Sequence, residues 1–162
     1  MTIVVTGGAG RIGSAIVQVL CQQGHHVSLQ YHESQSQAEA IQQQWPDLVS
    51  LYPCNLLDPD ALLEFQTQVL SYRTVHGLIN NAGVFIRNPL DEWSEDVDER
   101  HWRLNTRVPL NLIQAFTPSL REASGTIVNL VDNVSSTKPW PNHAGYAASK
   151  AGLLAITRSL AV

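Results

Sequence analysis

Tyr146 and Lys150 are four residues apart, which places them on one face of a helix, one turn apart, where both can reach a common ligand. A phenol with an ordinary pKa of about 10 is a poor acid–base group at neutral pH, and an ammonium within a few ångströms stabilises its ionised form. Such a pair can transfer a proton to a carbonyl or carbon–nitrogen group undergoing reduction. The alternative for these two residues taken alone is an ordinary surface pair on a helix. A second concentration of chemistry lies near the start of the chain, where Ile3 to Val5 runs into Thr6-Gly7-Gly8-Ala9-Gly10-Arg11-Ile12-Gly13. Small residues at a strand-to-helix turn let the backbone approach a pyrophosphate, whose charge the amino end of the next helix stabilises. Any tight turn could use the same glycines, so its position after the first strand of an alternating fold carries the dinucleotide reading.

The elements that must position these residues alternate along the chain. Short apolar runs at Thr2 to Thr6, Val27 to Tyr31, Val49 to Tyr52, Val75 to Ile79 and Thr126 to Val131 read as strands. Most are solidly apolar, as suits parallel strands covered on both faces. Between them, Ile12, Ile16, Val19 and Leu20 mark one face of a first helix that Gly24 ends. Ser36 and Glu39 have capping-box spacing ahead of a second, and Asp58-Pro59 caps and opens a third. A fourth helical stretch runs from about Glu95 to Glu122, bent by Pro109, and a fifth begins near Gly145. The pattern predicts an α/β doubly wound parallel sheet of Rossmann type, with helices on both faces. Residues 1–162 form one dinucleotide-binding domain, incomplete at its C-terminal edge, because Ala147 to Val162 reads as a helix still in progress without a cap or breaker.

At the end of the second strand an acidic residue would bind a ribose diol. Here the sequence offers Gln30, Tyr31, His32, Glu33 and Ser34, with Arg11 as a cation near the same corner. Together these favour NADP over NAD, and Glu33 is the residue that argues against it. Composition excludes several other functions. With 10 basic and 14 acidic residues, a net charge of −4 and no Lys/Arg run, nucleic acid and polybasic membrane attachment are not expected. No apolar run reaches spanning length, and no cleavable leader is apparent, so a cytoplasmic protein is expected. Cys21 and Cys54 are too isolated for a disulfide framework and read as reduced thiols. The six histidines show no metal-ligand spacing and read as surface or supporting residues.

Four separated segments together resemble the short-chain dehydrogenase/reductase family: the Thr6 to Gly13 turn, Asn80-Asn81-Ala82-Gly83, Asn105, and Tyr146-Ala147-Ala148-Ser149-Lys150. Their order and spacing cover nearly the whole chain. The resemblance implies that Tyr146 is the proton donor, that Lys150 binds the nicotinamide ribose and lowers the tyrosine pKa, and that Asn105 holds a water in a proton relay. It places Gly7, Gly10, Arg11, Ile12 and Gly13 against the cofactor phosphates, with Tyr31, His32 and Ser34 beside the adenosine ribose. Asn55 would contact adenine, and Asn81, Ala82 and Gly83 would flank the adenosine side. It also implies that members run longer than this chain, with further strands, a substrate-covering segment and contacts for a homo-oligomer, so the 162 residues are expected to have little activity alone.

The family usually carries a serine at the end of the fifth strand, where this sequence has Asp132. Asp132 lies 14 residues before Tyr146, one more than the usual spacing; Ser135 and Ser136 are rival candidates. The aspartate, Arg11 within the turn and Tyr31-His32 together resemble the pteridine reductase branch, including bacterial dihydromonapterin and dihydrofolate reductases. In that branch an aromatic at the position of Phe85 stacks on the pterin, although a phenylalanine just past a strand is often core. Trp140 has a claim to touch substrate; Trp93 and Trp102 read as core or interface. A carboxylate accepts hydrogen bonds from a pterin's ring N–H and amino groups where serine would do so weakly. An ionised Asp132 would also oppose the lowering of the Tyr146 pKa. The expected activity is hydride transfer from NADPH to a pterin, with a small-molecule substrate as partner beside the further copies of a homo-oligomer. The alternatives are a generic carbonyl or 3-oxoacyl reductase and a non-catalytic nucleotide-binding fragment.

Overall fold

The computed structural model describes residues 1–133, 137 and 140–161. In chain order the elements are β1 (Thr2–Val5), α1 (Arg11–Gln22), β2 (His26–Tyr31), α2 (Gln35–Gln44), β3 (Val49–Pro53), α3 (Pro59–Tyr72), β4 (Gly77–Asn80), α4 (Glu95–Trp102), a π-helical stretch Arg103–Arg107, α5 (Val108–Glu122), β5 (Thr126–Asn129) and α6 (Ala144–Leu160). A short 3-10 turn spans Leu90–Glu92. The chain divides into two compact units, one of Met1–Ala82 with Leu112–Val128 and one of Gly83–Asn111 with Asn129–Val162.

The first unit holds the sheet, ordered β3-β2-β1-β4-β5. β1 pairs in parallel with both β2 and β4, and β2 pairs in parallel with β3. Val4, Val5, Val27 and Leu29 are fully or almost fully buried, as the unbroken apolar runs require when a sheet is covered. The strand order reverses between β1 and β4, and in open α/β sheets ligands bind beyond the carboxyl ends of the strands at such a point. Here those ends carry the glycine-rich turn and Asn81-Ala82. β5 lies at the sheet edge, with Ile127 36% and Val128 47% exposed.

Two local expectations are corrected. The face that α1 buries is Gly13, Val17 and Cys21, not the Ile12 and Val19 side, both of which are exposed, while Ile16 and Leu20 are partly buried. The cause is Gly13, whose missing side chain lets the helix lie against the turn. A β-carbon there would overlap the Gly7 carbonyl oxygen and come within 2.8 Å of Gly8 Cα and 2.9 Å of Asn81 Nδ2. Replacing Gly13 with Ala is therefore expected to cost roughly 2–3 kcal/mol through overpacking against backbone. A urea melt with an unchanged midpoint would show that the turn has slack. The second correction concerns α2: Ser34 occupies the N-cap, not Ser36, and Glu39 accepts from Gln35 Nε2 at 2.7 Å instead of closing a capping box. Gly24 does end α1 in the left-handed region, with φ +76°. Asp58 does cap α3, accepting from the N–H groups of Asp60 and Ala61.

In the second unit the helical stretch expected to bend at Pro109 breaks ahead of it. α4 starts at the Ser94 cap, whose hydroxyl accepts from the Val97 N–H, and gives way to the π-helical residues Arg103–Arg107 before α5 resumes. Proline has no N–H to donate to the carbonyl four residues earlier, that of Asn105, so regular α geometry cannot run through this point. Among the described residues no helix is long and apolar enough to cross a membrane.

Candidate active site

In the first unit the turn after β1 is held from three directions. Gly7 takes φ +60°, a conformation open to glycine, and its N–H donates to Gln30 Oε1 at 2.8 Å. Gln30 is buried, and its Nε2 donates to the Cys54 carbonyl at 2.7 Å, so one amide ties the turn to the end of β3. From the β4 side, Asn81 Nδ2 donates to the carbonyls of Thr6 at 2.8 Å and Gly7 at 3.0 Å. The Thr6 hydroxyl accepts from the N–H groups of Asn81 and Ala82, each at 3.0 Å. This bracing presents the amino end of α1. Its first turn contains no acid and begins with the exposed Arg11, so partial positive charge and a guanidinium share the place where an anion would sit.

Tyr31 is 8% exposed and packs in the core. His32 is exposed, with its Nδ1 3.9 Å from Glu33 Oε1. Ser34 begins α2. Asn55 Oδ1 accepts from the Leu57 N–H at 3.1 Å, so its oxygen is committed to a local turn.

The second unit brings together Asn105, Asp132, Tyr146 and Lys150. Tyr146, Ser149 and Lys150 are buried on one face of α6. The Tyr146 hydroxyl donates to Asp132 Oδ2 at 2.7 Å, and Lys150 Nζ donates to the Leu130 carbonyl at 2.7 Å. Asn105 Oδ1 accepts from the Val84 N–H at 2.9 Å. Its Nδ2 donates to the Val84 carbonyl at 3.0 Å and to Ser149 Oγ at 3.1 Å. A β-carbon on Gly83 would lie 2.9 Å from Asn105 Oδ1 and 3.6 Å from Lys150 Nζ, which sets these two groups around the same small space.

Burial and Asp132 dominate the electrostatics of the pair. Burial first, then the Asp132 hydrogen bond and charge, push the Tyr146 phenol above its ordinary range. Burial pulls the Lys150 ammonium down, against the opposing charge of Asp132. One of the three Lys150 ammonium hydrogens is used on the Leu130 carbonyl, and burial and Asp132 set the net direction at the phenol. The phenol is therefore held protonated, the form that a proton donor needs.

Phe85 is 50% exposed and stacks on His143, with centroids 4.2 Å apart and planes 8° apart. It meets Tyr146 edge-on at 4.7 Å and Trp140 edge-on at 5.4 Å. The four residues expected to touch substrate, Phe85, Asp132, Trp140 and Tyr146, thus form one connected set. Ser135 and Ser136 lie outside the described residues.

The family model described as short chain dehydrogenase matches residues 1–162. The chain belongs to that family. Among curated relatives, 3-oxoacyl-(acyl-carrier-protein) reductase FabG of Staphylococcus aureus is 32% identical over 168 aligned residues, which cover 97% of this chain and 65% of that protein. The chain therefore spans less than two thirds of that relative. Among solved structures, a blue fluorescent protein from a metagenomic library, in complex with NADPH, superposes with a TM-score of 0.92 at 32% identity, covering 99% of this chain and 67% of the other. A metagenomic short-chain oxidoreductase in complex with NADP gives 0.90 at 29% identity, covering 99% and 75%.

For this short chain dehydrogenase, sequence reading missed three side chains that the structure brings into play: Gln30 as the brace of the glycine turn, His143 as the stacking partner of Phe85, and His101. The last is fully buried, accepts from the Ile86 N–H at 3.1 Å and faces the Tyr146 ring edge-on at 5.9 Å. Gln30 could have been found from a polar residue interrupting an apolar strand. The two histidines carry no local signal.

Proposed function

We propose that the chain carries the nucleotide-binding and proton-transferring parts of an NADP-dependent reductase acting on a 3-oxoacyl or other carbonyl compound. The observation that carries this reading is the buried Tyr146 hydroxyl on the same helical face as Lys150, kept protonated beside Asp132. The names of the relatives support the carbonyl substrate, and the bound nucleotides of the two structural neighbours support NADP. The residues present fit that cofactor: a glycine turn, an acid-free helix start and Arg11 suit its phosphates, with Gly7, Gly10, Ile12 and Gly13 offering backbone. His32 and Ser34 would serve the ribose phosphate, Asn55 the adenine, and Asn81, Ala82 and Gly83 the adenosine side. When bound, NADPH supplies the hydride.

The chain's own residues then do the following. Tyr146 gives its proton to the substrate oxygen as negative charge develops there. Lys150 holds the nicotinamide ribose, and its positive charge favours the ionised phenol once the proton has left. Both amide hydrogens of Asn105 are committed to Val84 and Ser149. A relay water would therefore be held at the Asn105 backbone carbonyl, to which Pro109 can donate nothing.

A second reading, reduction of a dihydropterin, is favoured by the carboxylate of Asp132 next to the exposed Phe85 and Trp140. A planar heterocycle with ring N–H and amino groups has donors for that carboxylate and a face for those rings. The deciding experiment offers the full-length protein NADPH or NADH with a 3-oxoacyl thioester, a simple ketone and a dihydropterin. NADPH-dependent reduction of the thioester or ketone is the expected result. Reduction of the dihydropterin alone would select the second reading, and no nucleotide oxidation with any of them would overturn both.

A further inference from the structure

α4 and the π-helical stretch after it present His101 and Asn105 one turn apart, and both bond to the same extended segment. Asn105 grips Val84 through its N–H and its carbonyl, while His101 Nε2 accepts from the Ile86 N–H at 3.1 Å. Phe85 lies between the two fixed residues, and its ring reaches Tyr146, His143 and Trp140. His101 is 0% exposed and stands edge-on to the Tyr146 ring at 5.9 Å, so it touches both the clipped segment and the phenol. We propose that His101 is a positioning residue which, with Asn105, clips residues 84–86 and so aims Phe85 at the substrate beside Tyr146. The aiming half of this proposal rests on the reading of Tyr146 as proton donor.

An imidazole suits this place because only its neutral form has a ring nitrogen able to accept from Ile86. Burial lowers the His101 pKa and keeps it neutral. The groups facing it are Asp98 on α4, whose charge works the other way, His143 ahead of α6, and Tyr146 on α6. Asp98 comes close because residue 145 is glycine: a β-carbon there would collide with the Asp98 carboxylate and lie 3.5 Å from His101 Nδ1. Protonation of His101 would set a donor against the Ile86 N–H and open the clip, so the sign is toward weaker substrate fit at acid pH.

The test uses the full-length protein with His101→Leu, which fills the space without an acceptor, and His101→Gln, which restores one. Amide exchange read at Ile86 should accelerate roughly tenfold or more in H101L, return toward wild type in H101Q, and stay unchanged at Val84 in both, because a buried N–H left unpaired costs on that order. KM for the reducible substrate should rise about tenfold in H101L, while kcat and NADPH affinity by nicotinamide fluorescence stay within about twofold. In H101Q the rise of KM toward acid pH should disappear, a change that a merely structural role would not produce. Unaltered Ile86 exchange in H101L, or an unaltered KM, would overturn the proposal. If the wild-type protein reduces nothing, the proposed function fails on its own, and the exchange result alone decides whether the clip exists. If H101L melts out, H101Q with Ile86 exchange near the wild-type rate and a flat acid limb supports the proposal, and H101Q indistinguishable from wild type in its acid limb overturns it.

Discussion

Replacing Tyr146 with Phe in the full-length protein is expected to lower kcat by about 10³-fold while NADPH affinity changes by less than about twofold. The substitution removes one oxygen and leaves the ring, so the edge contacts to Phe85 and His101 persist. What disappears is the hydroxyl that donates to Asp132 at 2.7 Å, the one acidic proton on this face of α6 among the described residues whose pKa burial and charge hold up. Asp132 then faces a ring edge, which costs a hydrogen bond to a charged group of roughly 1.5–3 kcal/mol. A modest fall in melting temperature is therefore compatible with the proposal. Stopped-flow hydride transfer separates the two effects. A variant that binds nucleotide and still turns over near the wild-type rate would remove Tyr146 from the chemistry.

The next largest effect is expected at Asp132. Its carboxylate raises the Tyr146 pKa through a hydrogen bond and through charge, after burial as the largest cause, and it also raises the Lys150 pKa against burial. In Asp132→Asn both contributions from charge vanish, so phenol and ammonium each lose their protons at a lower pH than in the wild type. The alkaline limb of kcat/KM should accordingly move toward neutral by roughly one unit, the size of a nearby-charge effect in a partly buried site. A limb that moves upward, or stays in place, would mean that Asp132 does not govern the titration of the pair. Asp132→Ser divides the two substrate readings. Carbonyl reduction should survive it, whereas dihydropterin reduction should fall about tenfold to a hundredfold if the carboxylate holds the heterocycle, the cost expected when a charged hydrogen-bond partner is withdrawn.

Much of the candidate site could be read from spacing, because it depends on local geometry. The glycine turn, the Asp58 cap, the Gly24 stop and the one-turn separation of Tyr146 and Lys150 are set by residues within a few positions of one another, and the structure keeps all of them. A disturbance at Pro109 is legible for the same reason, but as a bend; the helix instead breaks into five π-helical residues ahead of the proline. The face that α1 buries was misjudged because apolarity alone points to Ile12 and Val19. Packing follows the residue with no side chain, Gly13, which can approach the turn.

The amino-acid order by itself determined the alternation of strand and helix, the place of the glycine-rich turn and the one-turn spacing of Tyr146 and Lys150, since chain connectivity and local geometry suffice for these. Tertiary structure decided the protonation behaviour and the neighbours. Where the long Lys150 side chain ends is one such outcome: its Nζ donates to the Leu130 carbonyl. His101 and His143 meet Ile86 and Phe85 across sequence separations of 15 positions or more. Dielectric burial and through-space contact are properties of the folded arrangement, so no pattern along the chain could report them.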